Sequence, residues 1–300
     1  MENCLKCFED QWPNDIKNGC VPKIILFLSF TDSLGIVLTT MVGFLCITTA
    51  GIIAIFVRHR DTPIVKANNR DLSFTLLVSL MFAFLCSLLF IGQPGPFSCL
   101  FQQAAFGIVF TVAVSCVLAK TMIVVIAFNA TSPGSSLGKW LGPRASGSMV
   151  LVCTIGELVI CLFWLLTSPP YPHNDIHSES GKIILQCEVG SVGFFYAVIG
   201  YIGLLAFASF VVAFLARNLP DRFNEAKFIT FSMLVFCSVW ASFFPAYLST
   251  KGRHMVAVEI FAILASSAGL LGCIFMPKCY IIMLRPDANS REIFAIKSNL

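Results

Sequence analysis

The sequence predicts an all-α membrane protein, a seven-transmembrane helix bundle with a short cysteine-containing extracellular N-terminal segment. Three observations predict it. The 300 residues are 57% hydrophobic and 12% charged, with a mean hydropathy of +0.84, whereas soluble domains carry about a quarter charged residues and less than half apolar ones. The apolar residues gather into seven blocks, each long enough for a hydrocarbon core about 30 Å thick, which takes roughly 20 helical residues per crossing. Lysine and arginine also crowd one side of the alternating breaks.

Taken in order, residues 1–34 are polar at first, with no apolar run before Ile24. The blocks then cover 35–57, 72–91, 99–128, 147–166, 191–215, 228–248 and 256–280, and residues 281–300 form a tail. Each block is continuously apolar rather than alternating. That pattern favours helices, which satisfy their own backbone hydrogen bonds in lipid, over barrel strands. The breaks at 58–70, 92–98, 129–146, 167–190, 216–227 and 249–255 are short, polar and turn-rich, and none holds a separate domain. The expected organisation is an N-terminal segment at 1–34, a bundle at 35–280 and a cytosolic tail at 281–300.

Orientation follows from the positive residues, which are retained in the cytosol. With the N-terminus outside, thirteen Lys and Arg fall on the cytosolic side and six outside, with Lys120 within a helix. The inverted topology reverses the bias, so a multi-pass protein of the plasma membrane with a cytosolic C-terminus is expected. Of the 13 cysteines, Cys4, Cys7, Cys20, Cys99 and Cys187 then lie outside, in the compartment where disulfides form. Cys99 opens the third helix and Cys187 lies late in the longest outer loop. A Cys99–Cys187 bridge would fasten that loop over the bundle; two unpaired thiols are the alternative. Most of the other eight cysteines read as small core residues.

The N-terminal segment has no basic start and apolar stretch of the kind a signal peptide needs. Met1 reads as an abrupt beginning. Pairing Cys7 with Cys20 leaves Cys4 alone, with its expected partner upstream. A zinc site at Cys4 and Cys7 lacks a second ligand pair at suitable spacing.

Several segments together carry a family resemblance. Residues 4–35, CLKCFEDQWPNDIKNGCVPKIILFLSFTDSLG, resemble the end of the cysteine-rich domain that precedes the bundle in class C G protein-coupled receptors. Further matches are Thr62-Pro-Ile-Val-Lys-Ala-Asn-Asn-Arg-Asp-Leu-Ser73, Phe223-Asn-Glu-Ala-Lys-Phe-Ile-Thr-Phe231, Trp240-Ala-Ser-Phe-Phe-Pro-Ala-Tyr247 and Phe275-Met-Pro-Lys-Cys-Tyr280. With Thr167-Ser-Pro-Pro-Tyr171 and Asp175-Ile-His-Ser-Glu179, they are most similar to vomeronasal type 2 receptors and the class C olfactory receptors of fish. The resemblance covers nearly the whole chain.

The resemblance implies a chemosensory receptor, for pheromones or odorants, whose bundle activates a heterotrimeric G protein. In that family a large bilobed outer domain binds amino acids, peptides or related small molecules. That domain is absent from this sequence, so no residue here is assigned to the agonist site, and a truncated, non-sensing fragment is an alternative. Similar receptors act as homo- or heterodimers with another class C receptor.

Charges inside apolar helices are functional hypotheses by default, and Lys120, Glu157 and Glu259 are weighed as such. Lys120 lies about 20 residues into the third helix, roughly 30 Å down at 1.5 Å per residue. Similar receptors carry a lysine and a glutamate at the positions of Lys120 and Glu225, which implies an inter-helix ionic lock holding the cytosolic ends together when the receptor is off; a snorkelling lysine is the plain alternative. Glu259 sits in Ala257-Val-Glu-Ile-Phe-Ala-Ile-Leu, which matches calcium-sensing receptors. There the matching glutamate helps bind small basic modulators. The match implies an allosteric pocket lined by Gln103, Phe106, Phe110, Trp240, Phe243 and Glu259, suited to an amphiphilic cation; ordinary packing of an aromatic core stands beside it. Glu157 receives no role.

Pro245 and Pro277 each remove a helical hydrogen bond and are expected to kink their helices. Trp240, one turn before Pro245, is placed to report or drive a bend. The small residues Ala262, Ala265, Ser266, Ser267, Ala268, Gly269 and Gly272 would let the seventh helix pack closely on a neighbour. The expected G protein-facing loops carry Arg58, Lys66 and Arg70, then Asn218, Pro220 and Arg222, although basic loops also bind anionic lipid. Asn129-Ala130-Thr131 fits the glycosylation pattern but is expected in the cytosol and unmodified. His173 and His177 have no third ligand near them in sequence, and neither a phosphate loop nor a nucleophile elbow is present. No enzyme, cofactor, metal or nucleic-acid function is expected. A transporter or channel would carry inverted repeats with interrupted helices at matching positions, and the sequence has none.

Overall fold

The structure is a computed structural model that describes residues 7–14, 16–67, 69–130, 143–176, 179–217 and 225–284. Helix forms along every apolar block. The long helices are α1 (Ser33–Arg58), α3 (Arg70–Cys86), α4 (Pro96–Ala130), α5 (Pro143–Thr167), α6 (Val192–Ala216), α7 (Glu225–Ser249) and α8 (Arg253–Leu284). A short helix, α2 (Pro63–Ala67), lies in the first break, and a 3₁₀ turn over Ser87–Phe90 extends α3. These seven long segments are each long and apolar enough to cross a membrane.

The boundaries differ most at the end of α3, which stops at Cys86 and leaves Ser87–Phe90 of its block to the 3₁₀ turn, at the start of α5 at Pro143 instead of Gly147 and at the end of α8 at Leu284 instead of Tyr280. Arg144 and Ser146 are polar but stay helical at a span's end, because a helix satisfies its own backbone there, while residues 281–284 are apolar and simply continue the α8 block. Thr131 of the glycosylation pattern, Cys4, His177, Asn218, Pro220, Arg222 and the tail beyond Leu284 lie outside the described residues.

Helix α4 runs through the centre of the bundle and touches α3, α5, α6 and α7, while α8 packs on α7, α1 and α3. Phe110, Val114, Cys116 and Val117 of α4 are buried. Lipid is as apolar as leucine, so helix association here rests on close van der Waals packing. The small-residue stretch of α8 contributes at Gly269, where a Cβ would sit 3.0 Å from Val235 of α7. Gly272 meets no such neighbour. Pro245 and Pro277 lie inside α7 and α8.

One rim of the bundle carries short strands that the sequence reading did not foresee. β1 (Gln11–Pro13) and β2 (Cys20–Pro22) pair antiparallel, and the Cys7–Cys20 disulfide ties the chain ahead of β1 to the first residue of β2. The break between α5 and α6 folds into an antiparallel hairpin of β4 (Tyr171–Asp175) and β5 (Lys182–Glu188). β3 (Ile24–Leu26) joins the free edge of β5 in parallel, with Ile24 opposite Lys182 and Leu26 opposite Ile184. The N-terminal segment thereby becomes a third strand of the same sheet.

The sheet is fixed to the helices at three points. Cys187 of β5 is disulfide-bonded to Cys99 in the first turn of α4. The indole N–H of buried Trp164 donates to the Val189 carbonyl at 3.0 Å. Gly190, at φ +68°, brings the chain into α6; a Cβ there would lie 2.5 Å from the Ser168 carbonyl oxygen, so glycine alone fits both the dihedral and the space.

Candidate functional site

At the rim opposite the sheet, four helices converge on one carboxylate. Glu225 opens α7, where a negative charge is favoured by the helix N-terminus. Its Oε1 accepts from Lys278 Nζ of α8 at 2.7 Å and from Lys120 Nζ of α4 at 3.3 Å. Lys120 also donates to buried Ser73 Oγ of α3 at 2.9 Å. Both lysines are buried, and the Glu225 side chain is 13% exposed. The Lys278 ammonium additionally lies 5.8 Å from the centroid of the Phe275 ring. Lys120 and Glu225, which the sequence brought together, are therefore in contact, but Lys278 makes the shorter bond.

The sequence reading missed Lys278 and Ser73. A signal was present. Lys278 falls two residues inside the apolar block that ends at Tyr280, yet it was counted with the loop cations rather than with the intramembrane charges.

A second group surrounds Trp240, a turn before Pro245 on α7. Phe106 and Phe110 of α4 lie 5.6 and 5.9 Å from its ring centroid, and Phe243 lies 5.1 Å away. Phe236, which the sequence reading did not include, completes the cluster at 6.2 Å. Nearby in the same core, Gln103 Nε2 donates to Glu259 Oε1 at 2.8 Å, and both residues are buried. The buried indole N–H of Trp240 finds no acceptor among the described residues.

A cavity of about 290 Å³ adjoins this cluster, on the side between α6 and α7. Phe106 and Trp240 are in its wall; Gln103, Phe110, Phe243 and Glu259 are not. The expected six-residue pocket thus divides into a polar pair, a packed aromatic layer and a cavity wall shared with Phe236 and α6. The α6 side of that wall includes Gly200 and Gly203, which the sequence reading did not single out.

Glu157 of α5 is fully buried beside Gly107 of α4; the Cys161 thiol donates to its Oε1 at 3.8 Å, and Oε2 has no partner among the described residues. Arg58, Lys66 and Arg70 are exposed on the lysine rim. Lys66 lies 3.3 Å from Asp61 and, with Arg60, holds that carboxyl below the usual carboxylate range. His173, exposed in β4, belongs to no group of three potential metal ligands among the described residues.

Residues 28–278 match the family described as 7 transmembrane sweet-taste receptor of 3 GCPR. Vomeronasal type-2 receptor 26 of Mus musculus is 56% identical over 98% of this chain and 34% of its own length. Vomeronasal type-2 receptor 116 of Mus musculus is 52% identical over 100% of the chain and 35% of its own length. The extracellular calcium-sensing receptor of Homo sapiens is 47% identical over 91% of the chain and 25% of its own length. The chain therefore spans about a third of the vomeronasal relatives and a quarter of the calcium-sensing one.

Proposed function

The chain belongs to the class C G protein-coupled receptors, and on that premise we propose that it is the transducing part of a chemosensory receptor that activates a heterotrimeric G protein. In this reading the sheet rim is extracellular, the lysine rim is cytosolic and the protein resides in the plasma membrane. Residues 1–34 are the end of a cysteine-rich outer domain, and the tail beyond the bundle is cytosolic. The full-length receptor takes a small-molecule, amino-acid or peptide ligand on its outer domain and works as a homo- or heterodimer.

The observation that carries the reading is the construction of α4. Its first turn is bonded through Cys99 to the sheet that includes the N-terminal strand, and its far end is held through Lys120 to Glu225 and Ser73. A displacement of the outer segment is delivered through one helix to the contact that holds α7 against α4 and α8. Packed helices with two discrete arrangements respond to such a contact as a switch. In this reading Arg58, Lys66 and Arg70, exposed on the lysine rim, belong to the G protein surface, and the loop residues Asn218, Pro220 and Arg222 are assigned to it as well.

The aromatic region is the modulator site. An amphiphilic cation places its apolar body against Phe106 and Trp240 in the cavity wall, and the Glu259 carboxylate, held by Gln103 outside that wall, is the negative charge in the same core that favours its basic nitrogen. Trp240 and Pro245 then link occupancy to the bend of α7, and Pro277 gives α8 a matching hinge.

Guanine nucleotide exchange on purified heterotrimeric G proteins, driven by this chain in vesicles, tests the reading. Lys120→Ala is expected to raise ligand-free exchange. A coupling of about 1 kcal/mol gives roughly a fivefold change in the active-to-inactive ratio. Exchange equal to that of unmodified chain at equal reconstitution contradicts the proposal.

A further inference from the structure

The cavity beside Trp240 has a side opening. On α6 its wall runs through Ile199, Gly200, Ile202, Gly203, Ala206 and Phe207; on α7 it includes Ala241 and Phe244. Phe106 and Phe236 at its base are buried, whereas Phe207, at 62% exposure in the middle of α6, and Phe244, at 36% within the last turns of α7, face outward along apolar spans. The surrounding medium at that depth is hydrocarbon.

Gly200 and Gly203 make the opening. Glycine in a transmembrane helix commonly allows a neighbouring helix to come close. These two do not serve that purpose, because a Cβ at either position meets no atom within 4 Å. They lie one turn apart on exposed parts of α6, opposite the small Ala241. Glycine costs a helix about 1 kcal/mol relative to alanine, and what the pair leaves here is an empty gap.

The seam between α6 and α7 is shut on either side of the gap. Toward the sheet rim, Phe195 stacks on Tyr247 at 5.8 Å, and Tyr247 lies 5.1 Å from Phe243. Beyond them the hairpin, tied by Cys99–Cys187, buries Ile184. Toward the lysine rim, Ser209 and Ala213 of α6 and Ile229 and Met233 of α7 are fully buried.

We propose that ligands of this cavity are membrane-dissolved amphiphiles with a largely apolar body, which enter sideways from the bilayer through the gap between Gly200, Gly203 and Ala241. The inference rests on the modulator-site reading and adds the ligand's phase and route. Water-soluble ligands act elsewhere, on the outer domain. Affinity for the cavity follows partition into lipid, since the bilayer raises the local concentration of any amphiphile it dissolves.

Photolabelling separates the possibilities. The full chain is reconstituted in phosphatidylcholine vesicles with 3-trifluoromethyl-3-phenyldiazirine, an apolar probe, or with its membrane-excluded sulfonated analogue, and adducts are mapped by mass spectrometry. The apolar probe is expected to mark Phe106 and Phe236 as well as lipid-facing Phe207, and the sulfonated probe to mark neither base residue. In Gly200→Leu/Gly203→Leu the base adducts are lost and those at Phe207 remain. Ala241→Leu, which narrows the gap from α7, gives the same result if the glycine variant does not fold. Base adducts that persist in the narrowed variants, or that form with the sulfonated probe, overturn the side entrance while leaving the modulator site. Absence of base adducts in the unmodified chain overturns both.

Discussion

Glu259 keeps its place in an apolar core because the Gln103 amide donates to it at 2.8 Å. Gln103→Leu removes the donor and strands the carboxylate, which costs about 1–3 kcal/mol or more for a charged group. The thermal unfolding midpoint of the reconstituted chain is expected to fall, and an unchanged midpoint would show that Glu259 has another partner. Lys278 obeys the same logic at the other rim. Its 2.7 Å bond to Glu225 is shorter than the 3.3 Å bond from Lys120, so Lys278→Ala should raise ligand-free nucleotide exchange at least as much as Lys120→Ala. A smaller effect would assign the holding contact to Lys120 alone. The Lys120–Glu225 pair was legible because Lys120 stands alone inside a long apolar block and its partner matched a family pattern. Lys278 was hidden by its nearness to a block end, where a cation reads as snorkelling into the headgroups. Ser73 gives no sequence signal, since a serine in an apolar span usually bonds its own helix.

At the scale of elements, hydrophobicity alone located the seven helices, because lipid leaves helix as the one open structure that satisfies its backbone. The strands were harder. Ile24-Ile-Leu26 reads as the first residues of an apolar run, and its partner in β5 lies across four long helices of sequence. No local periodicity announces a parallel ladder between such distant segments. The cavity was half legible: family pattern supplied Phe106 and Trp240, but the α6 wall depends on which way Gly200 and Gly203 face. The disulfide carries the mechanical role assigned to the sheet. Cys187→Ser is expected to speed hydrogen exchange at the β5 amides and leave the middle of α8 unchanged. Exchange at β5 equal to that of the unmodified chain would mean that Trp164 and Gly190 hold the hairpin without help from the bridge.

For the whole molecule, the two rims are built from different materials around one central helix. One rim is a covalently pinned sheet, and the other is a buried charge cluster that ties α3, α4, α7 and α8 through a few hydrogen bonds. Removing one member of a buried pair costs about 3–5 kcal/mol, mostly through the charge left behind, so the cluster is stable when complete and sensitive to loss of any member. Residues sharing one network give non-additive effects, while independent ones add. The direct measurement is ligand-free nucleotide exchange for Glu225→Gln, Lys120→Met and the two combined, at equal amounts of reconstituted chain. The account predicts that each single change raises exchange and that the double variant gains no more than Glu225→Gln alone. Exchange that stays at the unmodified level in Glu225→Gln, or effects that simply add in the double variant, would contradict it.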